Sequence, residues 1–150
     1  LLASRDADYD ATWSPDGGSI VFTSERDGSA DLYRVAADGS GLARLTENPA
    51  YDDQAAFSPD GKQLVFVSTR SGGTADLWTM DLQTRKTNSL TAGPGGDFRP
   101  SWSPDGRHIV YANSPDGRAE HMRIWSMLAD GTQRHPLTGP GNDMPNWSWK

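Results

Sequence analysis

Aspartate recurs at one phase of a repeated pattern in this 150-residue chain. Asp8, Asp52 and Asp97 each stand five residues before a large aromatic residue, and Asp143 stands four residues before Trp147. Carboxylates gathered in a ring could bind Ca²⁺, which prefers several oxygen ligands, or a basic segment of a partner. The alternative is structural, because an aspartate side chain also accepts hydrogen bonds from backbone amides and so fixes a loop.

Two arginines share a second phase of the pattern. Arg26 and Arg70 each lie on a predicted turn after an apolar strand, at the edge where the aspartates are expected. They could contact a partner or form structural ion pairs with those carboxylates. Both interpretations place them at the same edge as the aspartates.

Other chemistry finds little support in the composition. The chain has no cysteine, which excludes disulfides and thiolate sites, and His108, His121 and His135 lack the spacing of a metal site or a catalytic triad. No Gly-x-Ser-x-Gly nucleophile motif occurs, so we predict neither catalysis nor a cofactor. A net charge of −6, with 14 basic residues among 20 acidic ones, argues against nucleic acid as a partner. No apolar run approaches the roughly 18 residues of a spanning helix, so membrane insertion is not expected.

The elements that position the charged residues follow from an internal repeat. An aromatic-Ser-Pro-Asp-Gly motif begins at Trp13, Phe57 and Trp102, and Trp147-Ser148 starts a fourth copy, with spacings of 44, 45 and 45 residues. Ser-Pro-Asp-Gly has the chemistry of a type I turn, and the segments around it predict four short strands in each copy. Four antiparallel strands in about 45 residues are typical of one β-propeller blade.

We therefore predict an all-β fold, a partial β-propeller of about three four-stranded antiparallel blades plus the first strand of a fourth. The predicted repeats cover residues 6–48, 49–93 and 94–140, and the fourth begins at 141–150. The aspartates and arginines then lie at one mouth of the central channel. The predicted partner-binding surface is Asp8, Asp52, Asp97, Arg26 and Arg70, and the residues of the calcium alternative are Asp8, Asp52, Asp97 and Asp143.

Large aromatic residues are predicted to hold neighbouring blades together. One set stands on the innermost strands: Trp13, Phe57, Trp102 and Trp147. A second set lies further out: Tyr33, Trp78 and Trp125. Burying one such side chain contributes roughly 1.5–3 kcal/mol, so two per blade are expected to dominate adhesion between blades.

At these residues the sequence resembles the WD-like repeat of the TolB family. The likeness runs through the aromatic-Ser-Pro-Asp-Gly turn, a Ser-x-Arg-x-Gly turn (Ser24–Gly28 and Ser68–Gly72), a strand bearing Tyr or Trp, and a closing Leu-Thr. The third copy departs from it at Asn113–Gly117, where the arginine is missing. The resemblance covers essentially the whole chain and implies the propeller fold.

The resemblance implies a non-catalytic interaction module of the periplasm, with a Pal-like lipoprotein or a peptide as partner. Similar repeats also precede the catalytic domains of prolyl oligopeptidase-like and tricorn-like peptidases, so a gating propeller for an absent hydrolase domain is one alternative. Another is a natural or engineered half-propeller that closes its ring by pairing with a second copy.

Overall fold

The computed structural model describes residues 6–139, which form three four-stranded antiparallel sheets in succession along the chain. Within each sheet every strand pairs with the next one in sequence. This confirms the predicted fold class: the sheets are blades of a propeller that is not closed. Residues 141–150, predicted to begin a fourth blade, lie outside the described residues.

The strand boundaries repeat from blade to blade. Blade 1 contains β1 (Asp8–Trp13), β2 (Ser19–Ser24), β3 (Asp31–Ala36) and β4 (Ala43–Arg44). Blade 2 contains β5 (Asp52–Phe57), β6 (Gln63–Ser68), β7 (Asp76–Asp81) and β8 (Thr87–Ser89). Blade 3 contains β9 (Gly96–Trp102), β10 (His108–Ser114), β11 (Arg123–Leu128) and β12 (His135–Pro136). A 3₁₀ turn, Ala119–His121, joins β10 to β11, and no helix within residues 6–139 is long and apolar enough to cross a membrane.

The Ser-Pro-Asp-Gly motif forms the turn between the first two strands of each blade. In blade 1 the Gly17 amide donates to the Ser14 carbonyl at 2.9 Å, and the Ser14 hydroxyl donates to the Asp16 carboxylate at 2.6 Å. Gly17 has φ of +68°, a conformation that glycine adopts without steric cost. The turns of blades 2 and 3 repeat these bonds, so the motif sets the register of the two inner strands.

A β-bulge interrupts the innermost strand of every blade. The pairing of β1 with β2 shifts between Tyr9 and Thr12, and the same shift recurs in the other two blades. The residue at the bulge is left-handed in each case: Asp10 at φ +50°, Gln54 at +52° and Arg99 at +51°. Bulges re-aim side chains and often lie beside functional sites.

Apolar side chains fill the two seams between the blades. Between blades 1 and 2, Val21 and Leu45 meet Phe57 and Phe66. Between blades 2 and 3 the corresponding cluster contains Trp102, which like Phe57 is less than 10% exposed. At both seams the later blade thus contributes its innermost aromatic residue, and the earlier blade contributes the leucine that follows its last strand.

This direction of packing explains why one predicted core residue is wrong. Trp13 is 59% exposed, although Phe57 and Trp102 at the same phase are buried as predicted. Trp13 pairs with Ile20, so it lies on the face of blade 1 that points away from blade 2. Among the described residues no blade precedes blade 1 and covers this ring. Trp147 lies outside them.

The outer aromatic set lines the same faces. Tyr33 is buried against Phe22 and Val35 on blade 1. Trp78 and Trp125 are partly buried and pack against the first and second seam respectively. Trp78 and Trp125 thus take part in the seams as predicted, whereas Tyr33 packs within blade 1 and joins no seam between the described blades. The rings of Tyr33 and Trp78 also contact arginine side chains.

Candidate functional site

Arg26 lies in a shallow pocket built entirely by its own blade. Its Nε donates to the Ser24 hydroxyl at 2.8 Å, and one terminal nitrogen donates to the Asp8 carboxylate at 2.9 Å. The guanidinium carbon lies 5.4 Å from the ring centre of Phe22 and 4.8 Å from that of Tyr33. We name this arrangement of carboxylate, serine and two rings around a guanidinium an arginine slot.

Arg70 occupies the same slot in blade 2. Its terminal nitrogen donates to both oxygens of Asp52, at 2.9 and 2.8 Å, and its Nε donates to Ser68 at 2.8 Å. The Phe66 and Trp78 ring centres lie 5.3 and 4.9 Å from the guanidinium carbon. Hydrogen bonds and ring contacts together hold this side chain in one geometry.

The pairing decides which predicted site residues can reach a partner. Asp52 has no exposed side-chain surface, whereas the Asp8 side chain is 34% exposed. Arg26 and Arg70 are mostly covered by their own slots. Both arginines therefore form the structural ion pairs that one interpretation expected. Of the five predicted partner-binding residues, only Asp8 has a substantially exposed side chain.

Asp97 is also buried, but it has a neutral partner. Its carboxylate accepts a hydrogen bond from the Asn113 side-chain amide at 2.8 Å, and its backbone amide donates to the Ala75 carbonyl of blade 2 at 2.7 Å. Burial raises the pKa of Asp97, while the bonds from Asn113 and Thr91 oppose that shift. The backbone of Asp97 thus links blades 2 and 3, while its carboxylate bonds a side-chain amide of its own blade rather than the backbone amides that the structural interpretation expects.

The described residues give no support to the calcium alternative. Residues 6–139 contain no group of three or more His, Asp or Glu side chains placed to hold a metal ion. The physical reason is that Asp8, Asp52 and Asp97 each turn toward a partner in their own blade and do not converge. Asp143, the fourth candidate, lies outside the described residues.

The bulges create a different surface at the inner edge of the blades. The strands β1, β5 and β9 lie side by side, and their bulge residues surround a hollow of about 490 Å³. We name this region the inner-edge surface and define it as Asp10, Thr12, Gln54 and Arg99. Gln54 accepts a hydrogen bond from the Arg99 backbone amide at 2.7 Å, which links blades 2 and 3.

Sequence reasoning does not bring Asp10, Gln54 and Arg99 together as one surface. The three residues share no side-chain chemistry, so type alone gives no signal. Their common phase, three residues before each aromatic of the turn motif, is the signal that could have found them.

Asp53 lies on β5 next to this surface and carries a shifted pKa. Burial raises the pKa to about 6, and the negative charges of Asp10 and Asp52 add to the shift. A carboxyl with this pKa changes its ionisation between mildly acidic and neutral pH.

Comparison with known proteins extends the likeness to the whole chain. A family profile described as the TolB beta propeller domain matches residues 1–150. A solved structure from Agrobacterium tumefaciens, assigned provisionally as TolB, is 30% identical with a TM-score of 0.79 over 91% of this chain and 52% of its own. TolB from Acinetobacter baumannii is 29% identical with a TM-score of 0.74 over 89% of this chain and 33% of its own.

A peptidase is also among the relatives. The uncharacterized peptidase YuxL of Bacillus subtilis is 39% identical over 69 residues, which are 45% of this chain and 10% of that protein. The chain therefore spans about half or less of these proteins, and the match supports a shared domain.

Proposed function

The chain belongs to the TolB beta propeller domain family, and from this premise we propose that it is a non-catalytic protein-interaction module that captures its partner at the inner-edge surface. The finer proposal is a Tol-Pal-type envelope function in the periplasm, with a Pal-like lipoprotein as the partner.

One observation carries the proposal. Three successive blades present residues of different chemistry, an acid, an amide and a base, from the same rigid bulge around a hollow of about 490 Å³. The backbone at these positions is fixed by strand pairing on both sides of the bulge. A preformed surface loses little loop entropy on binding, so its contacts contribute more fully to affinity.

Charge reversal at one bulge tests the surface. Asp10→Arg copies the residue type that blade 3 already carries at this phase, so the left-handed backbone should tolerate it. We expect affinity for the purified soluble domain of the cognate Pal-like lipoprotein, measured by calorimetry, to fall at least about tenfold. Glu120→Arg, the same charge change on the exposed β10–β11 connection, should leave affinity unchanged.

Two results would count against the proposal. Equal affinity of Asp10→Arg and the wild type would remove the inner-edge surface from the interface. Absence of binding by the wild-type chain would refute the Tol-Pal assignment.

The similarity to YuxL supports a second candidate, a propeller that gates a peptidase or hydrolase domain. In that case the full reading frame encodes a catalytic domain with a nucleophile motif, and deleting the propeller would broaden the range of substrates cleaved. Sequencing the complete gene distinguishes the two candidates: a lone propeller behind a secretory signal contradicts the peptidase.

Exposed apolar residues support a third candidate, ring completion by a second copy. Trp13 is 59% exposed on one outer face and Leu137 is 52% exposed on the other, whereas Phe57 and Leu45 at the same phases meet in a buried seam. A dimer of twice 16.3 kDa would bury both. Light scattering after gel filtration tests this, and a monomer at high concentration would contradict it.

A further inference from the structure

Blade 3 contains the parts of an arginine slot without the arginine. Tyr111 and Trp125 pair across β10 and β11 as Phe66 and Trp78 pair in blade 2. Asp97 pairs with Asn113 at the position where Asp52 pairs with Ser68. The position that corresponds to Arg70 is Pro115, which cannot supply a guanidinium.

A cavity of about 200 Å³ occupies the place of the missing side chain. All four blade 3 residues, Asp97, Tyr111, Asn113 and Trp125, line it, and Asp76 of blade 2 completes one wall. A Cβ on Gly95 would collide with the Ser114 carbonyl oxygen, so the chain at the end of β10 passes close against Gly95, beside the cavity.

The charge balance of this cavity differs from that of blade 2. At the first seam the carboxylates of Asp31 and Asp52 are matched by Arg44 and Arg70, at 2.6 and 2.8 Å. At the second seam Asp76 and Asp97 hold the corresponding positions, and no Lys or Arg among residues 6–139 lies within 4.0 Å of either carboxylate.

Arg134 is the cation at the border of the cavity. It donates to the backbone carbonyls of Leu90 and Gly131, and its charge acts on Asp76 and Asp97 from a distance. Two carboxylates therefore face one arginine, and the cavity lacks one positive charge relative to the first seam.

We propose that this cavity, the third slot, binds the guanidinium group of an arginine-bearing ligand against the Tyr111 and Trp125 rings, with Asp97 as the principal anion. The chain itself supplies the template, because the equivalent residues hold Arg26 and Arg70 in two filled slots. The proposal does not depend on the inner-edge surface.

The lining favours guanidinium over other cations. A metal ion such as Ca²⁺ takes about six to eight oxygen ligands, and residues 6–139 contain no group of three or more acidic or histidine side chains placed to hold one. An ammonium ion is a compact and strongly hydrated charge, whereas the planar guanidinium stacks on rings and bonds a carboxylate through its edge. Arginine should therefore bind more tightly than lysine.

The wild-type protein can be tested directly with N-acetyl-arginine methylamide as the probe. Each of the six tryptophans gives one indole N–H signal in a ¹H–¹⁵N spectrum, and Trp125→Phe assigns the one of interest. Titration should shift the Trp125 signal in a saturable way and leave that of exposed Trp13 in place. The citrulline analogue, which has the same shape without the charge, should bind at least about tenfold more weakly.

Charge-removing variants test which carboxylate anchors the probe. Asp97→Asn should weaken arginine binding at least about tenfold, and Asp76→Asn should weaken it by a smaller factor. Glu47→Gln makes the same charge change at an exposed residue of blade 1 and should have no effect. If Asp97→Asn fails to fold, Asp76→Asn and the wild-type citrulline comparison still decide the matter.

The pH dependence gives an independent check. Burial raises the pKa of both Asp76 and Asp97, Arg134 opposes the shift, and burial keeps the neighbouring Tyr111 phenol neutral by raising its pKa. Affinity for the probe should therefore increase as pH rises and both carboxylates ionise.

A comparison with an arginine-containing peptide distinguishes a protein partner from a small guanidino compound as the source of the guanidinium group. A five-residue peptide with central arginine that binds more tightly than the single-residue probe would assign the slot to the side chain of a protein partner. Equal affinities would assign it to a small guanidino compound. Equal binding of the arginine and citrulline probes, or no saturable shift of the Trp125 signal with either, would overturn the proposal.

Discussion

Arg70→Met removes the guanidinium from the filled slot of blade 2 but keeps an unbranched apolar side chain against the rings. The variant loses two hydrogen bonds to Asp52 and one to Ser68. It leaves the Asp52 carboxylate, which has no exposed surface, with the Asn48 amide as its remaining side-chain partner.

The magnitude follows from burial. Removing one partner of a buried ion pair typically costs about 3–5 kcal/mol, because the remaining charge is neither solvated nor compensated. Arg26→Met is the matched control, since the contacts are alike but Asp8 is 34% exposed and water can solvate it. An exposed pair contributes about 0–1 kcal/mol, so Arg70→Met should be at least about 2 kcal/mol more destabilising than Arg26→Met.

Urea unfolding followed by circular dichroism at pH 7 measures both losses. The double variant Asp52→Asn/Arg70→Met removes the orphaned charge and should recover a large part of the stability, because a neutral amide is less costly to bury than a carboxylate. Equal losses for Arg26→Met and Arg70→Met, or no recovery in the double variant, would refute the claim that burial of Asp52 determines the cost.

Two further predictions concern the seam and the inner edge. Phe57→Ala opens a cavity in the first seam and should reduce the free energy of unfolding by about 3–5 kcal/mol. Trp13→Ala, on the exposed face of blade 1, should reduce it by less than about 1 kcal/mol. Similar urea midpoints for the two variants would contradict the direction in which the blades pack. Asp53 has a pKa of about 6 when folded, above its ordinary 3.8, so the folded state binds more protons between these values and stability falls as pH rises through this window. Asp53→Asn should therefore stabilise the protein at pH 7 by about 1–2 kcal/mol and have little effect near pH 4. An equal gain in the free energy of unfolding at both pH values would show that the charge of Asp53 is not the cause.

The sequence predicted the blades because their determinants are local. Ser14 to Gly17 contain all the chemistry that the first turn needs, and the apolar strand that follows is marked by its own composition. Repetition at 44 and 45 residues then specifies the architecture. No distant contact has to be known for this step.

The site was less predictable because it depends on neighbours. Trp13 has the same motif as Phe57, and its exposure follows only from the absence of a preceding blade among the described residues. From the sequence, Asp52 is expected to be an exposed acidic residue, yet its side chain is fully buried and paired with Arg70. The bulge residues Asp10 and Gln54 are neither glycine nor asparagine, so residue type gives no indication of their positive φ.

The first seam and the filled slots of blades 1 and 2 are a reference with which the second seam and blade 3 can be compared. Burying Asp97 and Asp76 with the more distant Arg134 in place of two paired arginines is unfavourable, and the first seam shows that the fold can place two arginines there. Blade 3 has the buried acid Asp97 and the two rings but no arginine at the position that corresponds to Arg70, and stability alone does not account for this arrangement. The same reasoning applies to the bulges, whose left-handed backbone costs on the order of 1 kcal/mol per residue while the side chains differ in each blade. Uniform geometry with variable chemistry at the inner edge, and two buried acids beside a single arginine at the second seam, are not explained by the packing of the blades alone.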